Sequence, residues 1–138
     1  EIYMENTWHG FYDPMRGIRT RRYKYIRHFD AKRVYWAVES KAAREVLGTL
    51  CFGLKPMEEF YDLEKDPLEQ RNLAPARSMV DLLAPSRGRS GTKIGDPAYG
   101  SLLRQFRQKL RAHMVETKDR LLKGPIPHPC YERIWDSD

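Results

Sequence analysis

The sequence predicts an α+β fold, in which a small antiparallel sheet of about four strands is covered by a C-terminal amphipathic helix. Three observations predict it. Short stretches rich in aromatic and β-branched residues dominate the first half, Gly, Pro and Asp residues punctuate them, and one long segment near the C-terminus has helical apolar spacing. Strands followed by a long helix favour two packed layers, and 138 residues fit a single domain.

The first predicted strands come from the N-terminal part of the chain. Residues 2–8 have a strand-like composition, and residues 10–14 contain the Gly and Pro of a turn. Residues 15–19 and 22–29 form a predicted hairpin, because the second arm alternates in the period-two pattern of a strand. Its turn is expected near residues 20–21.

The middle of the chain carries signals for a short helix, a strand and a capped turn. Ser40 precedes good helix formers, so residues 41–47 are a predicted helix. Residues 58–63 alternate like a strand. Asp66, Pro67 and Glu69 then have the spacing of a capping box, which predicts a one-turn helix that closes near residues 72–74.

The C-terminal part contains the main helix. Residues 75–95 are rich in Ser, Arg, Gly and Pro, which predicts a surface loop or a disordered insertion. Asp96 and Pro97 begin an amphipathic helix that is expected to end near residue 117. Its apolar positions are Tyr99, Leu102, Leu103, Phe106, Leu110 and Met114. Prolines exclude a continuing helix, so residues 119–138 are expected to form an extended tail.

The composition limits the possible partners. A net charge of +6 favours a polyanion, which could be nucleic acid, an acidic membrane surface or a sulfated glycan. No stretch approaches the roughly 20 apolar residues of a membrane span, and no export signal opens the sequence. The chain starts at Glu1, which suggests a cut through a longer protein. Cys51 and Cys130 match no metal or redox spacing, so they are either two unpaired thiols or one disulfide.

Basic residues are concentrated on the predicted hairpin. Interleaved with tyrosines, such residues are also typical of proteins that bind single-stranded nucleic acid. The sequence has no glycine-aromatic signature, helix-turn-helix or zinc knuckle, which argues against nucleic acid. The alternative is a solvated face or a set of interface ion pairs. The six residues are Arg16, Arg19, Arg21, Arg22, Lys24 and Arg27.

Four blocks of sequence resemble the C-terminal subdomain of type I sulfatases, especially of the heparan N-sulfatase (N-sulfoglucosamine sulfohydrolase) type. They occur in the family's order and read MENTWH, PMRGIRTRRYKYI, FYDLEKDPLEQRNLA and MVETKD with LLKGPIP. The chain departs from the family pattern at Gly10, where relatives often carry Glu, and at Arg120, which replaces a proline. Residues 76–95 also look inserted.

The resemblance implies that residues 1–138 are such a subdomain, docked against a large N-terminal α/β domain of the alkaline phosphatase superfamily that is absent here. That domain would use calcium and a formylglycine made from a C/S-x-P-x-R motif. Cys51 is followed by FGLK and lacks the motif's proline and arginine, so this chain is expected to hold no catalytic residue, metal ligand or cofactor.

The expected activity of the parent protein is hydrolysis of a sulfuric ester or sulfamate. Its expected partner is a sulfated carbohydrate, with a sulfated amino sugar or glycosaminoglycan as the leading interpretation. The resemblance also implies a parent that is periplasmic, extracellular or lysosomal. The alternative function is a stand-alone basic module that binds nucleic acid or glycan.

Two residues of the resembling blocks are candidates for substrate binding. His9 ends the first predicted strand, and an imidazole can donate to sulfate oxygens. Arg16 lies in the hairpin, and a guanidinium binds sulfate or carboxylate in a forked geometry. The structural alternatives are a strand-end histidine bonded to backbone and an arginine paired with an acidic group at the domain interface.

Overall fold

The computed structural model describes residues 1–8, 12–30, 32–34, 52–54, 56–75 and 96–126. Within them, four strands form one antiparallel sheet with the order β1-β2-β3-β6. Two further short strands, β4 and β5, form a separate antiparallel pair. The strands are β1 (Ile2–Trp8), β2 (Tyr12–Arg19), β3 (Tyr23–His28), β4 (Lys32–Val34), β5 (Phe52–Leu54) and β6 (Glu58–Asp62).

The predicted hairpin is confirmed as β2 and β3. Its turn is closed by Thr20, whose N–H donates to the Tyr23 carbonyl at 2.8 Å and whose hydroxyl accepts from the Tyr23 N–H at 2.9 Å. The predicted turn at residues 10–14 is wrong at its C-terminal end, because β2 already begins at Tyr12. The β1–β2 register is irregular between Asn6 and Trp8, and such a bulge tolerates Pro14, which has no N–H to donate.

The helix α1 (Gly100–Glu116) packs on one face of the sheet and confirms the predicted α+β class. A 3-10 turn, Pro97–Tyr99, leads into it, and the Asp96 carboxylate caps that turn by accepting from the Ala98 N–H. The buried residues of α1 recur every three or four positions, so they lie on the one face of the helix that packs on the sheet. The core consists chiefly of Ile18, Tyr25 and Phe60 from the sheet and Leu103, Phe106, Leu110 and Met114 from the helix.

The predicted one-turn helix after Pro67 is wrong. Residues 63–71 form turns, and Glu69 has a φ of +55°, which lies outside the right-handed helical region. The Asp66 carboxylate still accepts backbone N–H groups, those of Gln70 and Arg71. The Glu69 side chain binds Lys24 at 2.6 Å instead of returning to the cap. The ion pair with strand β3 therefore replaces the local capping contact of Glu69.

The expected extended tail begins with a 3-10 turn, Arg120–Leu122, capped by the Asp119 carboxylate. Several other predictions lie outside the described residues. These are the helix at residues 41–47, the loop from residue 76 to 95, the tail beyond residue 126, and any pairing of Cys51 with Cys130. No helix among the described residues is long and apolar enough to cross a membrane.

Candidate functional site

A groove of about 570 Å³ lies between the edge strand β1 and the C-terminal end of α1. Tyr3, Met4 and Glu5 line it from β1, and Arg16 lines it from β2. Leu110 and His113 come from α1, and the turn that follows the helix supplies residues 118–120. The groove thus joins parts of the chain that are about a hundred residues apart in sequence.

Arg16 lies in this groove with a buried guanidinium. Its Nε donates to Asp119 Oδ2 at 2.5 Å and its Nη2 to Asp119 Oδ1 at 3.2 Å, which is the forked geometry of an arginine–carboxylate pair. Its Nη1 donates to the carbonyls of Asn6 and Met15. Nη1 also donates to Thr7 Oγ1 at 3.2 Å, and within the described part of the chain one of the two Nη2 N–H bonds has no acceptor.

Asp119 is the acidic partner of Arg16 in this ion pair. Burial of its carboxylate works to raise the pKa, but the hydrogen bonds from Arg16 and from the Leu121 N–H outweigh burial, so its pKa lies below the ordinary aspartate value. The carboxylate therefore stays ionised at neutral pH and balances the charge of Arg16. The same side chain caps the Arg120–Leu122 turn, so it fixes the chain after α1 against the sheet.

The end of α1 is shaped by a Schellman motif. The Lys118 N–H donates to the Val115 carbonyl, and the Asp119 N–H donates to the Met114 carbonyl. Lys118 takes the left-handed position of the motif with a φ of +53°. Its side chain is exposed at the groove.

Contacts between β1 and α1 complete the walls of the groove. The Tyr3 ring stacks on the His113 ring with centroids 3.7 Å apart and planes within 13°. Lys109 of the helix forms an ion pair with Glu1. The Glu5 carboxylate lies 3.8 Å from Arg16 Nε, and its side chain is 80% exposed. An aromatic pair and exposed charges of both signs therefore surround the groove.

Two other polar clusters tie the sheet to the helix. Glu58 accepts from Tyr25 Oη at 2.7 Å and from two nitrogens of the Arg107 guanidinium, Nε at 2.9 Å and Nη2 at 2.5 Å. Asp62 accepts from the Arg22 guanidinium and from Tyr99 Oη. Both carboxylates are buried, and both are satisfied by partners from other elements, which is typical of structural networks.

The basic residues of the hairpin are largely paired within the chain. Four of the six form ion pairs: Arg16 with Asp119, Arg22 with Asp62 and Glu64, Lys24 with Glu69, and Arg27 with Glu58. These partners reduce the positive potential that a polyanion would meet on the hairpin. The arrangement favours the ion-pair interpretation of the basic pattern over a nucleic-acid surface.

The two sequence-predicted site residues have different outcomes. His9 lies outside the described residues, and its contact with substrate stays a prediction. Arg16 lies in the groove and forms an ion pair with Asp119 of the same chain. A pairing at a domain interface and a substrate contact of Arg16 both stay predictions.

The sequence did not single out Tyr3, His113 or Lys118 as members of a site. The only local signal was at Asp119, which precedes a short turn and could have been read as a cap. No group of three or more His, Cys, Asp or Glu residues in the described part of the chain is placed to hold a metal ion. These residues therefore do not fit the expected calcium, which remains an expectation for the proposed N-terminal domain.

Comparison with known proteins relates the chain to a sulfatase. No family model matches it. The ulvan-active sulfatase of Formosa agariphila is 41% identical to the chain over 68 aligned residues. The match covers 44% of this chain and 13% of the relative, so the chain spans a small part of that protein's length.

Proposed function

We propose that this chain is the C-terminal subdomain of a sulfatase and that a larger N-terminal domain of the alkaline phosphatase superfamily performs the chemistry. The observation that carries the proposal is the 41% identity to a sulfatase over 68 residues. The four sequence blocks and the sheet-plus-helix fold agree with it. The formylglycine and the calcium belong to the proposed N-terminal domain.

The proposed substrate is a sulfated carbohydrate. The sequence blocks favour a sulfated amino sugar, as in the heparan N-sulfatase type, whereas the Formosa relative is named for activity on ulvan. The proposed parent protein is exported or lysosomal. In it, this chain supports the catalytic domain and supplies one wall of the substrate cleft, with His9 and Arg16 as the candidate contacts.

Sulfate release tests this proposal. We would express the 138-residue chain alone and the complete protein that contains it, and measure inorganic sulfate from an aryl sulfate, a heparin-derived N-sulfated disaccharide and ulvan. We expect the complete protein to act on at least one glycan and the chain alone to release no sulfate above background.

Two results would contradict the proposal. Turnover by the chain alone would place the nucleophile within these residues. A complete protein without a C/S-x-P-x-R motif and without activity on any of the three substrates would remove the sulfatase assignment, and salt-sensitive binding of a nucleic-acid homopolymer would then favour the basic binding module.

A further inference from the structure

We propose that the groove between β1 and the end of α1 binds one anionic sugar unit of a glycan, with Lys118 and Arg120 on its charged group and Tyr3 against its ring. The choice of a sulfated sugar as the ligand rests on the proposed function. The groove itself is an observation about this chain, and its occupation can be tested separately.

The size and lining of the groove suit a small ligand. A volume of about 570 Å³ is within the range of roughly 300–1,000 Å³ that is usual for ligand sites. Met4, Leu110 and Ile126 supply apolar surface, and charged groups lie beside them. A sugar unit has the same combination, because its C–H faces are apolar and its substituents are polar.

The charges of the groove favour an anion. Arg16 and Asp119 neutralise each other, which leaves Lys118 and Arg120 against Glu5, a formal excess of one positive charge. Lys118 and Arg120 are both exposed, so a ligand in the groove can reach both charges from solvent.

Lys118 is an unfavourable residue for its backbone position. The left-handed position of a Schellman motif is usually glycine, and an L-residue with a side chain costs about 1 kcal/mol or more there. Its backbone N–H makes the hydrogen bond of the motif, which does not need the side chain. Strained residues are found at ligand sites more often than elsewhere, and the Lys118 side chain lines the groove.

Tyr3 provides a ring that is already held in place. It is 37% exposed, and its stack with His113 fixes its orientation. An aromatic face carries partial negative charge and attracts the polarised C–H bonds of a sugar. The ring and the two basic side chains therefore offer complementary contacts to an anionic sugar.

The test is titration calorimetry on the complete protein with a sulfated heparin disaccharide, its desulfated form and sodium sulfate. The variant Lys118→Gly/Arg120→Ala removes both charges while it relieves the strain at residue 118, so we expect it to fold at least as stably. We expect it to weaken disaccharide binding about tenfold or more. The matched control Arg104→Ala/Arg111→Ala removes two exposed charges of α1 that do not line the groove, and we expect less than a twofold change.

Equal weakening by both double variants would overturn the proposal, since it would indicate a general charge effect. Equal binding of the desulfated disaccharide, or binding of sodium sulfate alone as strong as that of the sugar, would overturn it as well. Sulfate release separates the two proposals. If the enzyme releases sulfate but the Lys118→Gly/Arg120→Ala variant binds the disaccharide as tightly as the unaltered protein, only the proposed groove site is contradicted. If the variant weakens binding but the protein releases no sulfate, only the sulfatase proposal is contradicted.

Discussion

At the scale of single residues, the pair Arg16–Asp119 links strand β2 to the turn that follows α1. Each side chain is 7% exposed, and the two are 103 positions apart. A buried pair of this kind contributes little compared with a well-packed apolar pair, but either charge left alone in the interior is expensive. The pair therefore acts as a constraint on where the end of α1 can lie.

This constraint predicts a specific pattern of stability. Arg16→Ala should lower the free energy of unfolding by about 3–5 kcal/mol, because it leaves the Asp119 carboxylate buried without its partner. Arg16→Met/Asp119→Leu should lower it by less than the sum of the single changes. Urea unfolding measures both, with the exposed Arg19→Ala as the control. A loss below about 1 kcal/mol for Arg16→Ala would contradict the structural role.

The sequence indicated Arg16 but not its partner. An arginine in a predicted strand can be recognised from the sequence as a candidate for binding an anion. Which carboxylate lies nearest to it depends on how α1 crosses the sheet. Similarly, Lys118 is one of many lysines in the sequence, and only its backbone conformation distinguishes it. Side chains that meet across a hundred residues cannot be paired from spacing alone.

At the scale of elements, the outer edge of β6 is covered by a side chain. Asn72 accepts from the Phe60 N–H and donates to the Glu58 carbonyl, each at 2.9 Å, so its amide imitates the backbone of a neighbouring strand. The Leu73 N–H then donates to the Phe60 carbonyl. Uncovered edges are sites of association between chains, so this contact protects the sheet as well as stabilising it.

Replacement of this amide should expose the edge. We expect Asn72→Ala to cost about 1–3 kcal/mol of unfolding free energy, since it leaves backbone groups of β6 without partners. It should also increase association, measured by light scattering at several concentrations. The nearby exposed Gln70→Ala serves as the control. An unchanged midpoint of unfolding for Asn72→Ala would show that water replaces the amide without loss.

A second element-scale constraint is the close approach at Gly17 in the centre of β2. A Cβ there would lie 2.8 Å from the Tyr25 carbonyl oxygen and 2.9 Å from the Met4 side chain. The neighbouring backbone cannot move without disturbing the β2–β3 ladder.

We therefore expect Gly17→Ala to destabilise the protein by about 1–3 kcal/mol. Gly17→Ala/Met4→Ala should not restore stability, because the clash with the backbone oxygen remains. Thermal unfolding of both variants measures this, and Gly100→Ala, where an added Cβ meets nothing within 4 Å, is the control. If Met4→Ala fully restored the stability of Gly17→Ala, the clash would be with the Met4 side chain and not with the Tyr25 carbonyl.

Strong periodicity explains which elements were predictable. The helix α1 combines local preference with burial of one face, and β1, β3 and β6 have strand-like composition or alternation, so the sequence patterns of these elements agree with their structures. The capping box at Asp66 failed because the Lys24–Glu69 pair and the edge contacts of Asn72 impose another path on the chain. Turns close to a sheet edge are decided by such long-range contacts.

At the scale of the whole molecule, three carboxylates tie the sheet to the helix and to the C-terminal turn. Burial alone raises the pKa of Glu58, but hydrogen bonds from Arg107 and Tyr25 outweigh it and hold that pKa below its usual value. The Arg22 hydrogen bond, against the opposing effect of burial, lowers the pKa of Asp62. Asp119 behaves in the same way beside Arg16. Three of the contacts that position α1 therefore depend on ionised carboxylates.

Because of this dependence, we expect acid to lower the free energy of unfolding of the whole domain. A carboxyl whose pKa is lower in the folded state stabilises the protein above its unfolded pKa, about 4, and the contribution disappears as the pH falls through the folded pKa. We expect the free energy of unfolding to be nearly constant from pH 7 to about 5 and then to fall, by about 1.4 kcal/mol per pH unit for each proton that unfolding takes up.

Urea unfolding across this pH range, on the unaltered protein and on Glu58→Gln, tests whether Glu58 causes part of the loss of stability in acid. The variant should be less stable at pH 7, because the Arg107 and Tyr25 donors lose a charged acceptor, and its stability should decline less steeply below pH 4. The exposed Glu116→Gln is the matched control for the loss of one carboxylate. If the free energy of unfolding falls equally steeply with acid in the unaltered protein and in Glu58→Gln, the charge of Glu58 does not couple the helix to the sheet.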